Sequence, residues 1–270
     1  MRPEPAAGRP VSVAGVGTPK SSGTKTTDMP ATLVTGSSRG IGRGIARRFA
    51  DDGYDVAVNY HTNEEAANAV AESVRDRGQS AVIVGADVSD PDAATQLVET
   101  AVDAFGGLSH VVNNAGIDQH VYTESLDPAD FDRVMDVNVN SAFAVTKAAL
   151  SHLRAADEPA SVTNISSILA HTGAPIECHY AASKGALVSL TRSHAADFAP
   201  DVRVNAIAPG HIETDMTADR NPEQRRKELA AIPADRYGQP ADIADAAAYL
   251  RDATFVTGET LNVNGGERMG

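Results

Sequence analysis

Short aliphatic and β-branched runs alternate with longer amphipathic stretches from residue 31 to residue 263. The runs Thr32–Val34, Asp55–Tyr60, Ser80–Val84, His110–Val112, Ser161–Ile165, Val202–Ile207 and Thr260–Val263 are predicted as strands. Helical spacing between them predicts helices over Gly42–Asp52, Asn63–Arg77, Pro91–Phe105, Pro128–Ala155 and Tyr180–Phe198. A helical pair over Pro222–Leu229 and Ala241–Arg251 precedes the last strand. Asp90 and Asp127 each stand just before a proline, the order that suits an N-cap and a first helical residue. Alternation of this kind implies βαβ crossovers and a parallel sheet covered on both faces, an α/β doubly wound architecture. Ligands in such sheets sit beyond the C-terminal ends of the strands.

Residues 1–28 carry Pro, Gly, Ser, Thr and Ala without an apolar period and are expected to form a disordered tail, leaving residues 29–270 as one domain. The formal net charge is −13, and the tail carries +2 of its own, so the rest is more acidic still. Such a surface repels nucleic acid and anionic membranes, which excludes both as partners. Lysine is scarce, five against eighteen arginines, which fits a salty cytoplasm and equally a bias in genomic base composition. A single cysteine, Cys178, rules out an intrachain disulfide. With no apolar stretch near the ~18 residues of a membrane span and no signal-like start, the expected compartment is the cytoplasm.

The chemistry collects at the predicted strand ends. After the first strand, Thr35 leads into Gly36, Ser38, Arg39, Gly40, Ile41 and Gly42, a Gly-x-x-x-Gly-x-Gly turn opening onto a helix. Backbone can approach a ligand closely there, and the helix N-terminus faces a pyrophosphate favourably. The second strand closes on Asn59, Tyr60 and His61, with no acid to bind a ribose 2′-hydroxyl before Glu64. Arg39 is placed to pair with a 2′-phosphate instead, so NADP(H) is favoured over NAD(H). Asp87 and Val88 follow the third strand, suited to an adenine amino group and ring. Asn114, Ala115 and Gly116 follow the fourth, small enough for backbone to lie against a cofactor; a turn-forming Asn run is the other reading.

Tyr180 and Lys184 stand at i and i+4, so phenol and ammonium share one helical face. A neighbouring ammonium is expected to lower the phenol's proton affinity towards the useful range. Ser166 and Ser167 lie at the preceding strand end, where a hydroxyl holds a carbonyl that Tyr180 protonates. Cys178 beside His179 lacks an orienting partner for a thiol nucleophile, since adjacent side chains diverge on a helix. No cluster has metal-ligand spacing along the chain, so no metal is expected.

With these pieces in order, the chain resembles the classical short-chain dehydrogenase/reductases, Rossmann-type enzymes, and most nearly the 3-oxoacyl-thioester reductases among them. The resemblance spans about Ala31 to Gly266 and adds Asn138 within Asp-Val-Asn-Val, Pro209-Gly210 with Ile212 and Thr214, and Val256-Thr-Gly258. It implies Tyr180 as general acid/base, Ser167 as carbonyl holder, Lys184 as ribose ligand and pKa modulator, and Asn138 as holder of a relay water. It further implies that Pro209, Gly210, Ile212 and Thr214 cover the nicotinamide, that Thr214–Lys227 forms a lid, and that the assembly is a homotetramer. The implied reaction is NADPH-dependent reduction of a small carbonyl substrate, a 3-oxoacyl thioester, to the 3-hydroxy compound. A dehydrogenase of a sugar, polyol or other secondary alcohol is the alternative, and a non-catalytic NADP-binding sensor a remote one. Acidic residues Asp157, Glu158 and Asp201 near the ends of the long helices weigh against docking of an acidic carrier protein.

Overall fold

The computed structural model describes residues 12–14, 30–214, 217 and 220–269. Seven strands form one parallel sheet: β2 (Ala31–Val34), β3 (Asp55–Tyr60), β4 (Ala81–Gly85), β5 (His110–Asn113), β6 (Ala160–Ile165), β7 (Val202–Pro209) and β8 (Thr260–Val263). Their order across the sheet is β4-β3-β2-β5-β6-β7-β8, so strand succession reverses between β2 and β5. The crevice of a doubly wound sheet opens at that reversal.

Alternate side chains of each strand enter different cores. Val34, Val56 and Val58 pack with α1 (Gly40–Asp51), α2 (Glu64–Arg75) and α9 (Pro240–Asp252) through Ile45, Phe49, Val70 and Ile243. Leu33, Ala57 and Val111 face α3 (Pro91–Phe105), α5 (Ser141–Arg154) and α7 (Cys178–Phe198) through Leu97, Val145 and Ala195. Burial on both faces explains why the strands read as continuous apolar runs. A buried polar line fastens the second core beneath the cleft: Asn113 donates to Thr146 at 2.9 Å and to Asn164 at 2.8 Å, and Asn164 donates to Thr191 at 2.9 Å.

Two expectations are corrected. Within the stretch expected to be disordered, Ser12–Ala14 forms an antiparallel edge strand β1, with Ser12 opposite Gly85 and Ala14 opposite Ile83. The open edge of β4 offers unpaired backbone groups to any extended segment, so no apolar period is needed; the remainder of residues 1–29 lies outside the described residues. The single helix expected over Pro128–Ala155 is α4 (Pro128–Met135), a π turn over Asp136–Asn140, and then α5. The widened turn points Asn138 inward, where its amide is 1% exposed. A short helix α6 (Leu169–Thr172), unforeseen, follows β6, and α8 (Pro222–Ala231) carries an Asn221 capping box.

Candidate active site

The turn after β2 is built by side chains that spend themselves on backbone. Gly36 has φ +61°, and a Cβ there would come within 3.0 Å of Ala115 Cα. Asn114 donates from Nδ2 to the carbonyls of Thr35 at 2.9 Å and Gly36 at 3.1 Å, while Thr35 Oγ1 accepts the amides of Asn114 and Ala115. Asn59 Oδ1 accepts the Gly36 amide at 3.0 Å, and its Nδ2 reaches the carbonyls of Val84 and Ala86. These bonds tie β2, β3, β4 and β5 together at one rim. At the start of α1, Arg39 is extended and provides no side-chain cap, which leaves first-turn amides for a ligand.

Above that rim lies a cleft of about 1070 Å³. It is lined by the expected Gly36, Ser38, Arg39, Gly40, Ile41, Asn59, Tyr60, Asp87, Val88, Asn114, Ala115 and Gly116 at one end, and by Ser167, Tyr180, Lys184, Pro209, Gly210, Ile212 and Thr214 at the other. Two expected residues do not line it. A Cβ on Gly42 would lie 2.5 Å from Asn114 Nδ2 and 2.7 Å from the Gly36 carbonyl, so this glycine supports the turn from beneath. Asn138 sits behind the wall: its Oδ1 accepts the Ile117 amide at 2.8 Å, and its Nδ2 donates to the Ile117 carbonyl and to Ser183 Oγ. Asp87 holds Ser89 through one carboxylate oxygen, and the other lies 3.6 Å from His61.

The second end of the cleft brings Ser167, Tyr180 and Lys184 together. Lys184 Nζ lies 5.4 Å from the centre of the Tyr180 ring and donates to the Ile165 carbonyl at 2.9 Å. Tyr180 is hydrogen-bonded to Ser167. Ser166 also lines the cleft, but its hydroxyl is engaged, donating to the Lys184 carbonyl at 2.8 Å. The electrostatics overturn one expectation. Burial first, then the carboxylates of Asp118 and Glu177, push the Tyr180 phenol above its ordinary value, while the Ser167 bond pulls it down. Lys184 is not among the groups that govern it in the free protein; burial brings the ammonium's own value down to about 8, which leaves it charged at neutral pH.

Residues 36–267 match the family model described as "Enoyl-(Acyl carrier protein) reductase". The chain belongs to the short-chain dehydrogenase/reductase family. It is 40% identical over 239 residues to glucose 1-dehydrogenase 2 of Bacillus subtilis strain 168, covering 87% of this chain and 93% of that one. It is 39% identical over 241 residues to the 3-oxoacyl-[acyl-carrier-protein] reductase FabG of Staphylococcus aureus strain Mu50, covering 88% and 97%. Among solved structures, a short-chain dehydrogenase from Burkholderia cenocepacia J2315 in complex with NADP superposes with a TM-score of 0.83 at 34% identity, covering 88% of this chain and 97% of that one. A dehydrogenase/reductase from Sinorhizobium meliloti 1021 does so with a TM-score of 0.85 at 37% identity, covering 89% and 95%. The chain is therefore an NAD(P)-dependent oxidoreductase, and its glycine cradle and uncapped helix end fit a nicotinamide dinucleotide.

Sequence reasoning missed a group on the substrate side of this dehydrogenase/reductase cleft. His120 Nε2 lies 3.1 Å from Asp118 Oδ2 and 3.0 Å from Glu177 Oε1. Glu177 is the N-cap residue of α7, three positions before Tyr180. Burial and Asp118 hold its carboxyl above the usual range, against the pull of His120, Arg220 and His211. Only the Asp-x-His pair was visible locally; Glu177 joins it through the fold. On the lid side, His211 Nδ1 meets Glu267 at 2.9 Å, and Glu228 accepts a hydrogen bond from Tyr237. Of the expected lid Thr214–Lys227, residues 215, 216, 218 and 219 lie outside the described residues. Among the described residues, no helix is long and apolar enough to cross a membrane.

Proposed function

We propose that this chain is an NADPH-dependent carbonyl reductase that converts a 3-oxoacyl thioester to the 3-hydroxy compound. The observation that carries the reading is the convergence of Tyr180, Ser167 and Lys184 at one end of a cleft whose other end is a glycine cradle. The bound nicotinamide supplies the hydride. Ser167 Oγ donates to the substrate oxygen and fixes the carbonyl carbon over the cleft floor. Tyr180 hands its proton to that oxygen as charge develops on it, and its high proton affinity in the free protein keeps it protonated for that task. Lys184 holds ribose hydroxyls and, once a bound cofactor and substrate close off solvent, stabilises the phenolate left behind. Asn138 positions the loop after β5 and the Ser183 turn of α7 on either side of Lys184.

Arg39 at the cradle and the absence of an acid in Asn59-Tyr60-His61 support NADP(H) over NAD(H). A thioester of coenzyme A is favoured over one on an acidic carrier, because Arg154 stands 3.6 Å from Asp201 and so is already matched by a carboxylate. A second reading, oxidation of a sugar or polyol, is favoured by the polar Asp118–His120–Glu177 group, since carboxylates accept from vicinal hydroxyls. NADPH oxidation with acetoacetyl-CoA, set beside NADP⁺ and NAD⁺ reduction with a sugar and polyol panel, tests both. Turnover of the sugars alone, with NAD⁺, defeats the thioester reading and the cofactor choice together. The homotetramer and the cytoplasmic location belong to the same proposal, and gel filtration with light scattering tests the first.

A further inference from the structure

At the substrate end of the cleft, two carboxylates that are nearly buried share one imidazole nitrogen. The side chains of Asp118 and Glu177 are 11% and 13% exposed, and both reach the same atom, His120 Nε2. One nitrogen carries at most one proton, so two carboxylates on it share a three-centre bond weaker than a linear bond to either. A histidine serving only as a bridge between acids would use Nδ1 for one and Nε2 for the other. Here the three ligand atoms converge instead, all within 4.8 Å of one another.

The spacing also admits a shared cation. Ligands about 2.1 Å from a divalent cation and at right angles to each other stand about 3.0 Å apart. The two His120 contacts measure 3.1 and 3.0 Å. Asp118 Oδ1 is occupied by the Gln119 amide at 2.7 Å, which aims Oδ2 at the shared point. The charge is unbalanced as well: two carboxylates face one imidazole. Arg220 and His211 act on Glu177 from farther off, but they are drawn to Glu228 at 3.4 Å and Glu267 at 2.9 Å.

We propose that Asp118, His120 and Glu177 form a binding site for a divalent cation of the Mn²⁺, Co²⁺ or Zn²⁺ type. One imidazole and two carboxylates are the donor set such ions share. Asp118 and His120 line the cleft, so the remaining coordination positions open towards the substrate and accept its oxygens. Bound there, the cation offsets the two carboxylates that hold the Tyr180 phenol up.

The test needs no turnover. The NADP-bound protein, dialysed against a chelator, is titrated with MnCl₂ by calorimetry and by electron paramagnetic resonance of free Mn²⁺. The expected result is one saturable site per chain, weakened at least tenfold in both His120→Ala and Glu177→Gln. NADPH fluorescence and far-ultraviolet circular dichroism establish that each variant is folded; Asp118→Asn replaces either one that is not. No saturable site in the wild-type protein overturns the proposal. So does weak, multiple binding to the acidic surface that the substitutions leave unchanged.

Discussion

Replacing Lys184 by methionine should make the cofactor-free protein more stable while it destroys turnover. The ammonium is 3% exposed, and burial lowers its pKa from 10.5 to about 8. Below pH 8 the lysine is charged both folded and unfolded, and its charge is worth about 3 kcal/mol less in the folded protein than in water. Methionine keeps the apolar stem and removes that cost. It also removes the 2.9 Å bond to the Ile165 carbonyl, a loss of about 1 kcal/mol. The balance near pH 7 is a gain of about 2 kcal/mol, or roughly 4–8 °C in Tm for a domain of this size. Because the folded pKa lies below the unfolded one, the unfolded chain binds more protons between pH 8 and 10.5, and lysine-bearing protein gains stability as pH rises through that window. The advantage of methionine must therefore shrink over the same window. Urea unfolding of both proteins from pH 7 to 10.5, with cofactor absent, measures the difference directly and cancels titrations common to both. A variant less stable than wild type at pH 7, or a difference that stays flat with pH, refutes the reasoning.

Tyr180→Phe removes the proton donor but little volume, so kcat with the best carbonyl substrate should fall by about 10²–10⁴-fold while NADPH affinity is retained; fluorescence titration beside steady-state kinetics separates the two. Arg39→Glu should cut the preference for NADPH over NADH by about 10–100-fold, the worth of one charge-assisted phosphate contact, read from the ratio of kcat/KM values. Gly42→Ala sets two effects against each other: alanine favours a helix by up to about 1 kcal/mol, and overpacking costs about 1–3 kcal/mol. Overpacking should win, since the new Cβ meets the Gly36 carbonyl at 2.7 Å and Ser37 Cα at 2.9 Å, backbone that cannot swing aside. A lowered Tm together with weaker NADPH binding is the expected pair of results.

The parallel sheet was legible because its central strands are buried on both faces and read as largely apolar runs between helices. The Tyr180–Lys184 pair was legible for a similar reason: helical spacing alone puts i and i+4 on one side. The direction in which Tyr180 shifts was not. It depends on how deeply the phenol is buried and on Asp118 and Glu177, which approach from two different segments. Ser166 and Ser167 looked alike as neighbouring hydroxyls, and only the structure shows that Ser166 spends its own on the Lys184 carbonyl. Gly42 was read as touching cofactor on the strength of the turn it sits in, but it supports that turn from beneath; Asn59, read at the end of the second strand, lines the cleft and also ties the turn to β4. The edge strand Ser12–Ala14 left no mark, since three residues are too few to display a period.

The π turn at Asp136–Asn140 sets the rotational phase of everything after it. Each α-helical residue advances about 100° around the axis. Val134, Asn138, Ala142, Val145, Ala149 and Leu153 all point inward, a stripe that the extra residue of the wide turn keeps aligned. Excising one residue there would swing α5 by more than a quarter turn, exposing Val145 and Leu153 and carrying Asn138 off Ile117. The number of residues from Asp127 to Arg154 is thus set by the packing of one inward stripe.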